Sequence, residues 1–278
     1  MKILITGGAG YIGSELVQFL LDKGHHVTVL DTLMYGADPL LRYSGHDRFN
    51  FENIDVRDYA NVQPHLSTAD VILPLACLVG FPLCEKKPRE ATEVNFEANK
   101  WIAENKSKDQ ILIYPCTNSG YGVSDKGSVC TEESPLNPVS LYGKTNLLVN
   151  NFTLKAIKER LLVLYECEFM RNYVHIWDIC RVFDFIIDNW DACSGETFNI
   201  GNDALNMNKL QLAQTIHKHA PVEIIHAEFT TDPDVRDYIV SSQKIYDRGF
   251  ECLYDLDYGI KQLIQLYKLL DRPWYANY

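Results

Sequence analysis

The residues best suited to chemistry near the start of the chain are three glycines and one carboxylate. Gly7, Gly10 and Gly13 lie between an apolar run and a helical pattern, so the chain can turn tightly there and bring its backbone close to a ligand. The helix that follows directs its N-terminal N–H groups and positive dipole end toward a bound pyrophosphate. Asp31 ends the next apolar run, 18 residues past Gly13, where a carboxylate accepts hydrogen bonds from ribose hydroxyls and repels a 2′-phosphate. The spacing therefore predicts a dinucleotide site that prefers NAD to NADP.

The first 120 residues alternate strand and helix signals, and these elements must position the glycines and Asp31. The predicted strands are Lys2–Thr6, His26–Leu30, Phe49–Asp55, Val71–Leu75 and Ile111–Pro115, and the predicted helices include Ser14–Lys23 and Pro88–Asn105. Apolar runs without alternation indicate strands covered on both faces, and repeated βαβ units indicate a parallel sheet with right-handed crossovers. The predicted fold class is α/β: a Rossmann-type doubly wound parallel sheet with a smaller mixed α/β C-terminal lobe.

The pattern changes at about residue 146. Helices are predicted over Leu147–Arg160, Ile179–Asp188, Asn208–His219 and Leu256–Leu270, mixed with short strands over Leu162–Tyr165 and Thr197–Ile200. We expect an NAD-binding domain over residues 1–145. Residues 146–278 then form mainly a substrate-binding lobe, from which some elements return to the first domain.

Composition excludes several classes of protein. The 26 basic and 37 acidic side chains give a net charge of −11, which argues against nucleic-acid binding, and 46% hydrophobic residues exclude wholesale disorder. The eight cysteines form no C-x-x-C pair and accompany no zinc-finger histidine pair, so we expect reduced thiols, no metal site and a cytoplasmic location. The longest apolar run, Val71–Cys84, is too short to cross a membrane.

Several further segments carry a family resemblance. They are residues 55–58 (DVRD), 75–77 (LAC), 94–95 (VN), 115–122 (PCTNSGYG), 141–144 (LYGK), 171–178 (RNYVHIWD), 199–201 (NIG) and 234–237 (DVRD). With the glycine loop, they resemble the extended short-chain dehydrogenase/reductase family, especially its nucleotide-sugar epimerase and dehydratase branch. Within that branch, TNSGYG, LLVNNFT and DPDVRDY are most similar to NAD-dependent GDP-heptose C4 dehydrogenases of bacterial capsule synthesis.

The resemblance implies a set of site residues. Those expected to contact the cofactor NAD are Gly7, Gly10, Tyr11, Ile12, Gly13, Asp31, Asp55, Val56, Leu75, Ala76, Cys77, Asn95 and Tyr142. Those expected to contact a nucleotide-sugar substrate are Thr117, Asn118, Ser119 and Arg236. Arg236 would clamp the diphosphate, because a guanidinium matches phosphate oxygens in bidentate fashion. The resemblance also implies a dimer or larger homo-oligomer, and no membrane or nucleic-acid partner.

Tyr142 and Thr117 are the residues that the resemblance assigns to catalysis. The reaction would remove a hydride and a proton from a secondary alcohol of the sugar, at C4. A phenol with a pKa of about 10 is a poor base at neutral pH, and nearby positive charge makes the phenolate more accessible. Tyr142 would act as the general base, and Thr117 would orient the sugar hydroxyl by a hydrogen bond.

The two residues after Thr117 bear on the reaction type. Dehydratases of this family carry an Asp-Glu pair there, and this chain has Asn118 and Ser119, which cannot act as a carboxylic acid or a carboxylate base. The substitution argues against 4,6-dehydration. It leaves oxidation at C4 and epimerisation through a 4-keto intermediate as open alternatives, with a non-catalytic NAD-binding sensor or scaffold as a third.

The expected Tyr-x-x-x-Lys motif is incomplete. Asn146 stands four residues after Tyr142, one helical turn along, and Lys144 is only two residues away. The family also places the rest of a helix, a sixth strand and a loop here, about 25–35 residues by common element lengths. We therefore infer that residues are absent near positions 143–146, either through a real deletion or because the sequence omits them. We favour omission, because a deletion would remove a buried strand and the catalytic lysine together.

Overall fold

A computed structural model describes residues 1–79, 81–124, 127–136, 155–164, 166–226 and 237–269. The chain divides into two compact units. Unit 1 comprises Met1–Cys116 and Ile179–Ser194, and unit 2 comprises Thr117–Asp178 and Gly195–Tyr278. The domain boundary expected at residues 145/146 lies outside the described residues, so it stays a prediction.

Unit 1 is built on a five-stranded parallel sheet. Its strands are β1 (Lys2–Thr6), β2 (His26–Leu30), β3 (Phe49–Glu52), β4 (Val71–Pro74) and β5 (Ile111–Leu112). The strand order is β3-β2-β1-β4-β5, and the central β1 pairs with β2 on one side and β4 on the other. Ile3, Leu4 and Ile5 are at most 1% exposed, because both faces of β1 are covered. The predicted Rossmann-type fold class is confirmed.

Helices cover both faces of this sheet. They are α1 (Tyr11–Asp22), α2 (Asp38–Leu41), α3 (Tyr59–Thr68), α4 (Phe81–Lys86), α5 (Pro88–Thr92), α6 (Ala98–Asn105), α7 (Ile176–Asp188) and α8 (Trp190–Cys193), with a π-helical turn over Glu93–Glu97. The boundary between the units falls within α7, after Asp178. One apolar cluster joins Leu16 of α1 and Phe183 of α7 to the sheet, and a second joins Leu66 of α3 and Ile102 of α6 to it.

The described part of unit 2 contains short paired strands and several helices. The strands are β6 (Val129–Cys130), β7 (Leu161–Leu164), β8 (Met170–Asn172), β9 (Asn206–Asn208), β10 (Glu223–His226) and β11 (Ile239–Val240). β7 pairs with β10 and β6 with β11 in parallel, whereas β8 and β9 are antiparallel. The helices are α9 (Lys209–His219), α10 (Gln243–Tyr246) and α11 (Leu256–Leu269), and 3₁₀ turns span Asn118–Tyr121 and Asp203–Leu205. A capping box between Asn208 and Gln211 begins α9.

One strand prediction is wrong. Thr197–Ile200 contains no strand, and its backbone is held by side chains instead. The backbone N–H of Asn199 donates to Glu132 Oε1 at 2.6 Å, and the side-chain Nδ2 of Asn199 donates to the Ser241 carbonyl at 3.2 Å. A helix is also predicted over Leu147–Arg160. Residues 147–154 of it lie outside the described residues, and residues 155–158 are helical.

The cysteines form no covalent links. All eight have free thiols; Cys84, Cys130, Cys180 and Cys193 are buried and Cys116 is exposed. Within the described ranges, no helix is both long and apolar enough to cross a membrane.

Candidate active site

The glycine loop makes two close backbone approaches that only glycine allows. Gly7 has a φ of +73°, and a Cβ there would lie 2.6 Å from the Ala76 nitrogen. A Cβ on Gly13 would lie 2.6 Å from the carbonyl oxygen of Gly7. Gly10 is the N-cap of α1 and contributes no side chain to that helix terminus. The loop therefore brings bare backbone and a helix N-terminus to the C-terminal end of β1, as the sequence predicted.

Asp31 holds the glycine loop from the end of β2. Its Oδ2 accepts the Ala9 N–H at 3.0 Å, and its Oδ1 accepts the Leu33 N–H at 2.7 Å. Leu33 has a φ of 56°, an uncommon conformation for a residue with a branched side chain. The carboxylate thus lies beside the loop at the C-terminal end of β2, as the sequence predicts.

The segment after β4 lies directly against the loop. Leu75 N–H donates to the Thr6 carbonyl at 2.9 Å, and Ala76 N–H donates to the Thr6 hydroxyl at 3.3 Å. Thr6 is fully buried, so its hydroxyl fixes how closely Ala76 approaches Gly7. Cys77 follows as a partly exposed thiol whose Sγ lies 3.5 Å from the Leu78 carbonyl. Sequence reasoning missed Thr6, because its role depends on a contact 70 residues away.

Asn95 is part of the π-helical turn and holds the same segment from behind. Its Oδ1 accepts the Leu78 N–H at 2.8 Å, and its Nδ2 donates to the Leu78 carbonyl at 3.0 Å. Both polar atoms of the amide are therefore engaged with one backbone unit. π-Helical turns occur often at functional sites, and this one directs Asn95 toward the loop after β4.

Asp55 and Val56 occupy the turn after β3. Both oxygens of Asp55 accept hydrogen bonds from the Arg57 guanidinium, at 3.0 and 2.6 Å, and this interaction lowers the pKa of the carboxyl. Arg57 also contacts Glu93 at 3.1 Å. Val56 is 6% exposed. The Asp55 carboxylate therefore orders this turn, while its backbone and that of Val56 remain the groups suited to contact an adenine.

In unit 2, Thr117 immediately precedes the 3₁₀ turn. The Gly120 N–H donates to the Thr117 carbonyl at 3.1 Å. Tyr121 ends the turn in a buried position, where its hydroxyl lies 2.8 Å from Asn199 Oδ1 and 3.0 Å from the Thr131 carbonyl. The single hydroxyl proton is donated to one of these two acceptors at a time, so the hydroxyl connects the turn to the segments around Thr131 and Asn199. Asn118 is half-buried at the start of this turn.

A buried cation lies elsewhere in unit 2. Arg171 is 3% exposed, donates to the Met170 carbonyl at 2.8 Å and lies 5.6 Å from the Tyr238 ring centroid. The Tyr173 hydroxyl is also buried, and burial raises the pKa of that phenol. Two of the expected site residues, Tyr142 and Arg236, lie outside the described residues. Among the described residues, no group of three or more histidine, cysteine or acidic side chains is arranged to hold a metal ion.

These features define a Rossmann-type dinucleotide-binding protein. Residues 3–160, more than half of the 278-residue chain, match the family described as "NAD dependent epimerase/dehydratase family". The chain therefore belongs to the NAD dependent epimerase/dehydratase family, a family of enzymes that act on nucleotide sugars, and its cofactor is NAD.

Individual relatives extend the similarity over nearly the whole chain. The low-salt glycan biosynthesis protein Agl12 of Haloferax volcanii is 26% identical over 309 residues, covering 96% of this chain and 98% of that protein. A UDP-glucose 4-epimerase of Lactobacillus helveticus is 31% identical over 57% of this chain and 48% of its own length. The crystal structure of the Thermus thermophilus UDP-glucose 4-epimerase in complex with NAD superimposes with a TM-score of 0.80 at 19% identity, covering 96% and 99% of the two chains.

The residues of unit 1 fit NAD on their own geometry. The backbone at Gly7 and Gly13 packs so closely on Ala76 and on Gly7–Gly8 that no Cβ fits, and this tight turn, here called the cradle, leads directly into α1. The Asp31 carboxylate is fixed beside it by two backbone N–H groups, with lone pairs remaining for ribose hydroxyls. Gly7, Gly10, Gly13 and Asp31 would therefore hold the pyrophosphate and a ribose of NAD.

Proposed function

We propose that this enzyme oxidises the C4 hydroxyl of a nucleotide sugar to a 4-keto sugar. The observation that carries the proposal is the sequence after Thr117. Asn118 and Ser119 replace the Asp-Glu pair that the resemblance associates with dehydratases, so no acid and base are present there to remove water from the sugar. Oxidation at C4 remains, either as the net reaction or as the first half-reaction of an epimerisation.

Thr117 and Tyr142 supply the protein's part of that oxidation. The Thr117 hydroxyl hydrogen-bonds to the C4 hydroxyl of the sugar and fixes its direction. The Tyr142 oxygen, as phenolate, takes the hydroxyl proton. Bound NAD supplies the hydride acceptor. Fixation of the 3₁₀ turn by Tyr121 supports the assignment of Thr117, because that turn begins at the next residue.

We propose that the expected lysine is absent because a segment of the protein is absent from the sequence near residues 143–146. The alignment with the Haloferax protein extends over 309 residues and this chain has 278, so the alignment contains positions without a counterpart here. We propose that these include the residue that would stand near Tyr142 as the lysine, since Asn146 occupies its expected place. A cation there is required to make phenolate accessible at neutral pH.

The substrate class follows from the proposed diphosphate contact. We propose that Arg236 binds the nucleotide diphosphate and that Asn118 and Ser119 hydrogen-bond to sugar hydroxyls. A GDP-heptose-type sugar is the favoured substrate, on the similarity of the segments TNSGYG, LLVNNFT and DPDVRDY alone. We also propose a cytoplasmic homo-oligomer, with residues 1–145 as the NAD-binding domain and residues 146–278 as mainly the substrate lobe.

A second candidate function is 4-epimerisation. UDP-glucose 4-epimerases are among both the sequence relatives and the similar structures, and an epimerase needs the same C4 oxidation as its first half-reaction. The difference is that an epimerase returns the hydride to the other face and accumulates no NADH. A non-catalytic NAD-binding sensor or scaffold is the third candidate, and the incomplete lysine motif is the observation that favours it.

One experiment separates the three candidates. The purified protein is incubated with NAD and GDP-, UDP-, CDP- or dTDP-sugars, a GDP-heptose among them, and absorbance at the NADH band is followed while products are separated by chromatography. The dehydrogenase accumulates NADH and keto-sugar, the epimerase yields the C4 epimer without NADH, and the sensor gives neither. Tyr142→Phe abolishes turnover with NAD still bound, whereas Tyr258→Phe, a surface phenol of unit 2, retains it. Near-normal rates for Tyr142→Phe would reject Tyr142 as the base.

A further inference from the structure

We propose that Cys77 and Cys84 form a redox-sensitive dithiol pair: a small-molecule disulfide converts them into an internal disulfide, and the oxidised protein binds NAD more weakly. This role is independent of the proposed function, because it concerns NAD binding by unit 1 and involves no sugar. Both thiols, the atom that they share and the backbone that they would move belong to the described residues of unit 1.

The two thiols converge on one backbone carbonyl. Cys77 Sγ lies 3.5 Å from the Leu78 carbonyl oxygen, and Cys84 Sγ lies 3.2 Å from the same atom. The two sulfurs can be no farther apart than the sum of these distances, about 6.7 Å. Burial raises the pKa of the Tyr35 phenol, with Lys87 opposing the rise and both thiols adding to it, so the Tyr35 hydroxyl also lies near both sulfurs. A disulfide requires the sulfurs to approach to about 2.0 Å, so closing the pair changes the local geometry.

The Leu78 carbonyl keeps a donor when both thiol hydrogens are lost. A carbonyl oxygen has two lone pairs, and this one faces three donors, which are the two thiols and Asn95 Nδ2 at 3.0 Å. Disulfide formation removes both S–H groups and leaves the Asn95 amide in place. Leu78 is 4% exposed, so a carbonyl without any donor there would be destabilising. We therefore expect the oxidised protein to stay folded.

Exposure sets the order of the two chemical steps. Cys77 is partly exposed, whereas Cys84 is fully buried and burial raises the pKa of its thiol. The Cys77 thiolate attacks one sulfur of the small-molecule disulfide, which forms a mixed disulfide and releases one small thiol. Cys84 then gives up its proton and attacks the Cys77 sulfur, which forms the internal disulfide and releases the second small thiol. Two protein S–H bonds and one small-molecule S–S bond are exchanged for one protein S–S bond and two small-molecule S–H bonds.

The disulfide acts on NAD binding through Ala76. Cys84 lies in α4 with 0% exposure, so we expect the partly exposed Cys77 to make most of the movement. Ala76 directly precedes Cys77, and a Cβ on Gly7 would lie 2.6 Å from the Ala76 nitrogen. The Ala76 N–H also donates to the Thr6 hydroxyl at 3.3 Å. A shift of Cys77 toward α4 therefore displaces the backbone against which the cradle packs, and a displacement of about 1 Å is enough to weaken a binding site strongly.

Two serine variants separate the pair from the loss of a thiol in general. Cys84→Ser removes the second thiol and keeps a hydroxyl that can donate to the Leu78 carbonyl. Cys252→Ser is the matched control in unit 2, where the Cys252 thiol donates in the same way to the Gly201 carbonyl at 3.3 Å. Cys252→Ser therefore reports the loss of one thiol–carbonyl contact while both members of the pair remain.

The test measures NAD binding before and after oxidation. The NAD-free protein is treated with diamide, an azo compound that takes up the two hydrogens of a thiol pair, and the excess is removed. We expect the wild type to lose two hydrogens by mass spectrometry, with peptide mapping that joins Cys77 to Cys84. Its Kd for NAD by calorimetry should rise about tenfold and return on reduction.

The variants make the same measurement specific. Cys84→Ser forms no such link and keeps its Kd for NAD within twofold after treatment, whereas Cys252→Ser responds as the wild type does. Should Cys84→Ser fail to fold, as judged by its thermal melt, Cys84→Ala serves in its place.

Thermodynamic reciprocity supplies a second readout. If the disulfide weakens NAD binding about tenfold, saturating NAD favours the dithiol form by the same factor. In glutathione redox buffers, the midpoint potential of the pair should then be about 30 mV more positive with NAD than without it.

The contrary outcomes are distinct. A wild type that forms no internal disulfide, or one that joins Cys77 to the exposed Cys116 instead, overturns the proposed pair. A Cys77–Cys84 disulfide that leaves the Kd for NAD within twofold, or a midpoint potential that NAD does not change, overturns its effect on the cofactor. Since none of these measurements uses a nucleotide sugar, their failure leaves the proposed function intact, and failure of the proposed function leaves them unchanged.

Discussion

Replacing Gly13 with alanine adds one methyl group at the point where the glycine loop folds back on itself. The new Cβ would lie 2.6 Å from both the Gly7 carbonyl oxygen and the Gly8 Cα. Non-bonded carbons rest at about 3.5–4.0 Å, so the loop must move by about 1 Å to accept the methyl group. Overpacking of this kind costs about 1–3 kcal/mol. Since both neighbours are backbone atoms of the cradle, we expect the displacement to fall on the phosphate-binding groups.

The assay for Gly13→Ala is NAD binding by calorimetry, with a thermal melt of the NAD-free protein to show that it is folded. If the full cost of about 1–3 kcal/mol weakens the free energy of NAD binding, the Kd for NAD rises about 5- to 150-fold. Gly45→Ala is the matched control, because a Cβ at Gly45 meets nothing within 4 Å. A folded Gly13→Ala variant that binds NAD within twofold of the Gly45→Ala control would refute the assignment of the cradle.

Three other variants test the surrounding structure. Asp31→Asn removes the charge that repels a 2′-phosphate, and we expect it to lower the ratio of NADP to NAD dissociation constants by about tenfold, or about 1.4 kcal/mol; an unchanged ratio would remove Asp31 from cofactor selection. Asp178, fully buried, accepts backbone N–H groups from residues 253 and 254 at 3.0 and 3.1 Å. Asp178→Asn places an amide N–H against one of these donors, and urea titration should show a loss of about 1–3 kcal/mol; wild-type stability would contradict that geometry. The Asp55 pKa is lowered by Arg57 in the fold, so its contribution is full above the unfolded pKa of about 4 and is lost as pH falls through the folded pKa. The melting-temperature difference between wild type and Asp55→Asn should therefore shrink below about pH 4, and a difference that grows in acid would reverse the assigned sign.

The parts of the fold that could be predicted are those coded by local pattern. Lys2–Thr6 and His26–Leu30 have the predicted limits, because continuous apolar runs next to glycine or a polar residue mark both ends of a buried strand. Asp31 could be placed by its spacing from the glycines alone. Thr197–Ile200 alternates polar and apolar residues instead of forming a continuous apolar run, and it is not a strand: Glu132, 67 positions away, accepts the Asn199 N–H that a strand partner would need.

The parts of the site that escaped prediction depend on long-range contacts of ordinary residues. Thr6 is the last residue of an apolar strand in the sequence, and only the fold shows its hydroxyl against Ala76. In the sequence Asp237 is an acidic residue next to an arginine, which is typical of a surface position. Only the fold shows that its carboxylate accepts a hydrogen bond from the Met170 N–H. Asn95 stays a predicted cofactor residue, and only the fold shows that its amide bonds to both backbone polar groups of Leu78. The spacing of residues along the sequence predicts none of these three contacts, which are Thr6 with Ala76, Asp237 with Met170 and Asn95 with Leu78.

Transfer of deuterium from a C4-labelled nucleotide sugar, a GDP-heptose first, tests the central claim most directly. The wild-type protein is incubated with NAD and the substrate carrying deuterium at C4, and the cofactor is analysed by mass spectrometry. Oxidation at C4 predicts reduced cofactor that is one mass unit heavier than with unlabelled sugar, and no such species with Tyr142→Phe. Deuterium that remains wholly at C4, with NAD bound and the sugar unchanged, would contradict the account.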